Sequence, residues 1–229
     1  MSSQRAFVLR LEGITAHFRD PRFNTAKIGL PSRTLLAPPP STIHGLICAA
    51  AGGWVEPETL VLGWRTDFDS IGTDFGTNQL PKRKRFDHKM GLQITEPSPI
   101  EREFLAFPTL SLLVIGNCVD SKWFRAPANP LSLGRSEDMI VETQRQDVQI
   151  EIGDEGEIAR QCLPMALGSG TVYASPMYFE MRRRPVGMAP RVDATTRQSI
   201  RSDGEKHHFA FLPRTGESFY LWNFAHASR

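Results

Sequence analysis

An α+β fold is predicted by three features of this 229-residue sequence. Short apolar segments bounded by glycine or proline, which are typical of buried strands, occur along the whole chain. One segment in the first quarter instead has apolar residues at helical spacing. The hydrophobic fraction of 40% and the charged fraction of 23% are ordinary for a globular protein, which argues against disorder and fibrous repeats.

The first predicted element is a buried strand at residues 5–13. Its sequence, RAFVLRLEG, is rich in Phe, Val and Leu and ends at a glycine. Residues 18–40 contain too many prolines and glycines for a long regular element, and their arginines need solvent or an anion. We therefore expect a charged loop after the first strand.

The next predicted element is a helix that begins at Ser41. Ser41 and Thr42 follow three prolines and are expected to form the N-cap, and the glycine pair at residues 52–53 is expected to end the helix. The apolar residues at helical spacing are Ile43, Leu46, Ile47 and Ala50. This face should pack against the strands.

The remainder of the N-terminal half is predicted to form strands. Residues 81–91 are strongly basic and run into a strand-like alternation, which favours a hairpin with a basic tip. Residues 107–116 are predicted to form another buried strand, and residues 121–125 a short helical turn. The resulting β-α-β-β…β order is compatible with a ferredoxin-like module of the RRM type.

The C-terminal third is predicted to be rich in strands. Strand candidates at residues 173–181, 207–212 and 218–224 are separated by loops that contain Gly, Pro and charged residues. No fixed-period repeat is present, which excludes a solenoid.

Charge and cysteine content limit the functional class. The net charge of +2 is too small to predict nucleic-acid binding, so the distribution of the charge decides. The widely spaced Cys48, Cys118 and Cys162 argue against a disulfide framework or a zinc ribbon and favour reduced thiols. The sequence shows neither a secretory signal nor an apolar stretch of the roughly 20 residues that cross a bilayer, so we expect a soluble, cytoplasmic protein.

Three motifs, found in the expected order, resemble the Cas-five family of the RAMP superfamily, which occurs in type I CRISPR systems. The first is HFRDPR together with LPSRTLLAPPPSTIHGLICAAAG, the second is EREFL at residues 101–105, and the third is LGRSED at residues 133–138. The resemblance lies within residues 1–145, and the C-terminal third matches poorly.

The resemblance implies an RRM-like domain at residues 1–147 with a β-hairpin thumb at about residues 76–100, followed by a β-rich portion at residues 148–229. It also implies a non-catalytic subunit of the Cascade surveillance complex that holds the 5′ handle of crRNA. Implied partners are the backbone subunit and the large subunit, and target DNA indirectly. We expect no cofactor, no metal and no membrane contact.

Candidate RNA-binding residues lie at the helix start. Ser41, Thr42 and His44 place hydroxyl groups and free N–H groups at the positive end of the helix, which suits a phosphate. Alternatively, Ser41 only caps the helix and His44 is an ordinary surface residue. Gly45 costs about 1 kcal/mol relative to alanine, so we expect protein backbone or RNA to pack closely there.

Arginines of the first and third motifs are further candidates. Arg19 and Arg22 flank a turn, where a guanidinium can hold a phosphate or stack on a base, or can instead pair with Asp20. Arg135 is expected either to contact RNA or to anchor a turn through its acidic neighbours.

The basic hairpin is the strongest purely physical signal for RNA. Its cations attract the phosphate backbone and its flat rings can stack on bases. The candidates there are Lys82, Arg83, Lys84, Arg85, Phe86, His88 and Lys89. A solvated, mobile charged face is the alternative interpretation.

Two other functional classes are considered. Some relatives in type I-C systems cleave repeat RNA without metal through Tyr, Lys and His. His44 or His88 with Lys82 or Lys89 can supply a base and a cation, but the tyrosines lie outside the matching motifs, so a metal-independent endoribonuclease is the second hypothesis. The third is a protein scaffold with little RNA affinity, which the moderate net charge allows.

Overall fold

The computed structural model describes residues 4–23, 32–78, 81–86, 89–94, 98–180, 183–202 and 208–225. Strands dominate this part of the chain. In order they are β1 (Gln4–Gly13), β2 (Thr15–Ala16), β3 (Phe18–Arg19), β4 (Thr34–Leu35), β5 (Val61–Asp67), β6 (Ser70–Asn78), β7 (Pro81–Phe86), β8 (Lys89–Ile94), β9 (Ser98–Ala106), β10 (Thr109–Ile115), β11 (Ile140–Gly153), β12 (Glu155–Ile158), β13 (Gln161–Pro164), β14 (Thr171–Ser175), β15 (Tyr178–Phe179), β16 (Pro185–Val186), β17 (Ala189–Ala194), β18 (Gln198–Arg201), β19 (His208–Leu212) and β20 (Glu217–Asn223). The helices are α1 (Pro40–Ala51) and α2 (Lys122–Arg125), with single 3-10 turns at Pro21–Phe23 and Pro57–Thr59.

Six of these strands form a closed antiparallel barrel in the order β1-β10-β5-β20-β19-β11. β1 pairs with β10 on one side and with β11 on the other. The C-terminal hairpin β19–β20 closes the barrel through two short contacts. Trp222 of β20 lies opposite Leu62 of β5, and Phe209 of β19 lies opposite Gly153 of β11.

The predicted α+β, ferredoxin-like fold class is wrong, because the described chain is mostly β and its main sheet is a closed barrel. Strands β19 and β20, which were assigned to a separate C-terminal portion, pair with β11 and β5 and so join the two edges of the N-terminal sheet. The second helix is a single turn, α2. Strand β11 also runs across the expected boundary after residue 147; the domain limits themselves stay a prediction.

Alternation along the strands sorts the apolar side chains of the barrel into two layers. The inner layer consists of Ala6, Val8, Leu113, Ile150, Ala210, Leu212, Phe219 and Leu221. A Cβ added at Gly63 would lie 2.7 Å from the Cβ of Phe219, so glycine makes room for that ring. The larger outer layer includes Leu9, Leu11 and Trp64 and packs beneath α1.

Helix α1 confirms the predicted buried face and C-terminus but not the predicted N-cap. The four apolar face residues are buried, and Gly52 ends the helix with a left-handed φ of 76°. The helix begins one residue earlier, at Pro40, since proline suits the first turn, and no side chain caps it. In the described structure a Cβ at Gly45 would meet no atom within 4 Å, so protein backbone does not make the expected close contact.

An antiparallel arm continues from the barrel. β6 and β9 pair along their whole lengths, and β2 adds to the other edge of β9. Between β6 and β9 in sequence, β7 and β8 form a hairpin in which Phe86 lies opposite Lys89. The predicted hairpin is therefore present in the described backbone, whereas His88 lies outside the described residues.

Candidate nucleic-acid interface

The three sequence motifs meet at the base of the β6–β9 arm. Ser32, which precedes β4, donates its N–H to the Glu101 carbonyl oxygen at 2.8 Å and accepts the Glu103 N–H at 2.9 Å. The N–H of His17, which precedes β3, donates to the Leu133 carbonyl oxygen at 3.0 Å. The first motif is thus bonded to both of the others, although the third lies more than 100 residues further along the chain.

His17 joins two of these motifs through its ring. The side chain is buried, with Nδ1 2.6 Å from the Glu103 carbonyl oxygen and Nε2 3.2 Å from the Ser32 hydroxyl oxygen. Burial lowers the pKa of His17. A neutral ring that donates from Nδ1 and accepts at Nε2 satisfies both contacts, so His17 is a structural residue.

Arg135 in the LGRSED motif anchors a turn. Its Nε and one terminal nitrogen each lie 2.9 Å from a carboxylate oxygen of the fully buried Asp138, and the other terminal nitrogen lies 3.1 Å from Asp74 on β6. Burial opposes the charge on Asp138, but the hydrogen bonds from Arg135 and Thr15 hold its pKa below the usual range. Of the two roles expected for Arg135, this geometry favours the structural one.

Gly134 permits the close approach of this loop to the first motif. Its φ is 116°, and a Cβ at this position would lie 2.0 Å from the carbonyl oxygen of His17. Any other residue would have to push the two segments apart. Gly134 is therefore required for the close packing of this loop against the first motif.

A basic cluster, which we define as Arg19, Arg22, Phe23 and Arg33, lies at the surface beside this junction. The guanidinium carbon of Arg33 is 4.8 Å from the Phe23 ring centre, and that of Arg22 is 5.5 Å away. Their side chains are 53% and 44% exposed, so both cations reach solvent while resting on the same ring. Arg19 is exposed on β3, which pairs with the strand that follows Arg33.

Asp20 fixes one side of the basic cluster. The carboxylate is 2% exposed and accepts the Arg22 main-chain N–H at 2.9 Å and its Nε–H at 3.0 Å. The sequence left open which arginine pairs with Asp20, and the structure assigns Arg22 to it. Arg33 lies 3.8 Å from Glu103, and within the described ranges no ion pair reaches Arg19.

The basic cluster has the chemistry of a phosphate and base contact. Its three guanidinium groups lie near three carboxylates, those of Asp20, Glu103 and Asp193, and both Asp20 and Asp193 are buried. Guanidinium forks hold phosphate oxygens in pairs, and exposed flat groups stack on unpaired bases. Phe23 and Arg33 were not predicted from the sequence. The position of Phe23, directly after Arg22, was a signal that its ring could stack on a base.

The predicted phosphate site at the helix start contains residues of different exposure. Ser41 and Thr42 are half-buried in the first turn of α1. His44 is 3% exposed, its Nε2 lies 2.9 Å from the Val55 carbonyl oxygen, and its ring packs edge-on to Trp54 at 4.9 Å. Burial lowers the pKa of His44. The phosphate-binding role of Ser41, Thr42 and His44 stays a prediction.

The basic hairpin is described only in its backbone. Lys82, Arg83, Lys84, Arg85 and Phe86 lie in β7, and Lys89 lies in β8. Arg83 is opposite Leu92 in the ladder. The RNA-binding role of these residues stays a prediction, as does that of His88.

No group of three or more metal-binding side chains occurs among the residues that the structure describes. Within the same residues, no helix has the length and apolar character required to span a membrane.

Asp193 ties the C-terminal sheet to the segment that leads into α1. The carboxylate is 3% exposed and accepts the Leu36 N–H at 2.6 Å. Burial raises the pKa of Asp193 to about 6, a shift that nearby Asp20 strengthens and that the Leu36 N–H and Arg22 oppose. A carboxyl group in this position is protonated more readily than one in water.

Stability should depend on pH through Asp193. Because the folded-state pKa of about 6 exceeds the ordinary value of 3.8, the contribution of Asp193 to stability is complete below about pH 4 and is lost as the pH rises through 6. Relative to Asp193→Asn, the wild-type free energy of unfolding should fall by about 1 kcal/mol between pH 5 and pH 8, measured by urea titration of both proteins. A constant difference between the two proteins would contradict this.

Two solved structures have similar folds. A chain of a CRISPR RNA-guided surveillance complex aligns with a TM-score of 0.51 and 20% identity over 86% of this chain and 88% of that chain. A CRISPR protein from Archaeoglobus fulgidus aligns with a TM-score of 0.50 and 13% identity over 95% and 98%. No protein-family model and no curated protein matches the sequence. The chain therefore has a fold found in CRISPR proteins, which confirms at the level of the fold the likeness that its three motifs predicted.

Proposed function

We propose that this chain is a non-catalytic, RNA-binding subunit of a type I CRISPR surveillance complex and holds the 5′ handle of crRNA. The observation that carries the proposal is the basic cluster, where exposed Arg22 and Arg33 rest on one aromatic ring within a motif of the family resemblance. The similar fold of a chain in an RNA-guided complex supports it. The backbone subunit and the large subunit are the proposed protein partners, with target DNA contacted through the guide.

The environment of His44 supports the non-catalytic assignment. A general base must reach the 2′-OH of the RNA, and His44 is buried with its Nε2 engaged by Val55. Tyr173 and Tyr220 are buried as well, and burial raises the pKa of each phenol. These observations support the proposal that the guide RNA is a bound ligand and not a substrate.

Binding of handle-bearing RNA to the purified chain in EDTA tests this function. We expect tighter binding than to an RNA of equal length with a scrambled 5′ end, and the RNA should remain intact. If the three arginines of the basic cluster each neutralise one phosphate, the slope of log K against log salt should be about −2 for a single strand. Equal affinity for the scrambled RNA would contradict handle recognition, and a defined cut would establish an endoribonuclease instead.

A further inference from the structure

The outer edge of β11 is open over most of its length. On one side β11 pairs with β1 from Ile150 to Ile140. On the other side β19 pairs only with Glu151, Ile152 and Gly153. In the part of the chain that the structure describes, residues 143–149 therefore have a partner strand on one side only.

The direction of the backbone hydrogen bonds alternates along β1. This alternation identifies which N–H and C=O groups of β11 have no partner in β1. The N–H of Gly13 donates towards β10, to the Pro108 carbonyl oxygen at 3.0 Å. Odd-numbered residues of β1 therefore bond to β10 and even-numbered residues to β11. The even-numbered β1 residues lie opposite even-numbered β11 residues, for example Val8 opposite Gln146.

The odd-numbered residues of β11 consequently direct their N–H and C=O groups away from β1. They are Thr143, Arg145, Asp147 and Gln149. Glu151, the next in this series, lies opposite Phe211 of β19, where the edge of β11 becomes paired. No hydrogen bond from the described residues reaches these eight backbone groups.

A groove of about 880 Å³ runs beside this edge. Its lining comes from residues 145–149 of β11, the β19–β20 turn at residues 212–215, the segment after β10 at residues 116–121, and Ala6 and Phe7 of β1. The groove begins where the β19 ladder stops. An extended segment placed in it would continue the hydrogen-bonding line of β19 along β11.

The charges of the groove favour a peptide over a nucleic acid. Arg145 rests on the Phe7 ring at 4.8 Å, donates to the Ser121 hydroxyl at 2.7 Å and pairs with Asp147 at 2.6 Å. The groove residues include two cations, Arg145 and Arg214, and two anions, Asp120 and Asp147, so the groove has no excess of positive charge. Its edge offers alternating donors and acceptors that a second peptide backbone matches in full. Native proteins usually cover such an edge or protect it with proline or charged side chains. Residues 143–149 contain no proline, and their two charged residues, Arg145 and Asp147, pair with each other.

We propose that residues 143–149 of β11 are the docking site for an extended, polar segment of another protein subunit of the same complex, which adds a strand to the barrel. The inference rests on the proposed function for the identity of the complex. Polar side chains are expected on the incoming segment because Gln146, Asp147 and Gln149 line the groove.

Hydrogen–deuterium exchange of the chain alone and within its purified ribonucleoprotein complex tests the proposal. The amides of Thr143, Arg145, Asp147 and Gln149 should exchange at least tenfold more slowly in the complex, and the protection should survive nuclease treatment. Asp147→Pro removes one outward N–H and should lower the amount of protein that co-purifies. Asp147→Ala, which keeps that N–H, should not.

The outcomes separate this proposal from the proposed function. A complex that carries guide RNA but leaves these amides unprotected overturns strand addition alone. A chain that assembles with no RNA overturns the proposed function instead. Protection that rises with the concentration of the free chain would identify a second copy as the occupant, and protection lost with nuclease would identify RNA; either result overturns the proposal. The exchange measurement uses wild-type protein and so holds even if Asp147→Pro fails to fold.

Discussion

Replacing Asp138 by alanine is expected to lower the free energy of unfolding by about 3–5 kcal/mol. The substitution leaves the guanidinium of Arg135, whose side chain is only 14% exposed, without its two-pronged partner. It also removes the acceptor of the Thr15 hydroxyl, which donates to Asp138 at 2.6 Å. Chemical denaturation monitored by tryptophan fluorescence measures the change.

Glu137→Ala is the matched control for this prediction. Glu137 is the adjacent acid, lies 3.4 Å from the same arginine and is 55% exposed. Exposed ion pairs contribute about 1 kcal/mol or less, so this variant should stay close to wild type. If both substitutions had equally small effects, Asp138 would not be the residue that joins the third motif to the barrel.

Removing the ring and one guanidinium of the basic cluster is expected to weaken RNA binding about 10- to 100-fold. The variant is Phe23→Ala combined with Arg33→Ala, because stacking of one base contributes about 1–3 kcal/mol and Arg33 adds a phosphate contact. Arg22 is left in place because its loss would leave the buried Asp20 carboxylate without its cationic partner. Fluorescence anisotropy with labelled handle RNA measures the dissociation constant.

Arg201→Ala controls for the general loss of positive charge. Arg201 lies on β18, is 83% exposed and has only a distant contact with Glu155 at 4.0 Å. Its removal should change the dissociation constant less than twofold. Equal losses for the two variants would mean that RNA responds to net charge and not to the basic cluster.

The sequence was sufficient for the local elements and insufficient for the closure of the sheet. The spacing of Ile43, Leu46, Ile47 and Ala50 predicted the buried face of α1 because helical periodicity is a property of neighbouring residues. The pairing of Trp222 with Leu62 joins positions 160 residues apart, and nothing in either strand specifies that partner. Barrel closure therefore depends on long-range packing that a pattern of single segments does not encode.

In the candidate site, too, the local motifs could be recognised from the sequence but the surroundings of each side chain could not. The motif resemblance drew attention to Arg19, Arg22 and Arg135, yet it did not separate a surface cation from one that holds a turn. That distinction comes from burial, since Arg135 is enclosed by Asp74 and Asp138 while Arg22 stays exposed beside Phe23. The burial of His44 was not predicted, because a polar residue near the start of a helix has the same local sequence whether it faces solvent or Val55.

Photo-cross-linking of guide RNA to the chain within its purified complex, followed by mass spectrometry of the joined peptides, tests the central claim most directly. If the basic cluster lies on the RNA, peptides that contain Phe23 and Arg33 should be joined to nucleotides of the 5′ handle. Cross-links confined to other surfaces, with these peptides unmodified, would contradict the assignment of the basic cluster as the RNA contact.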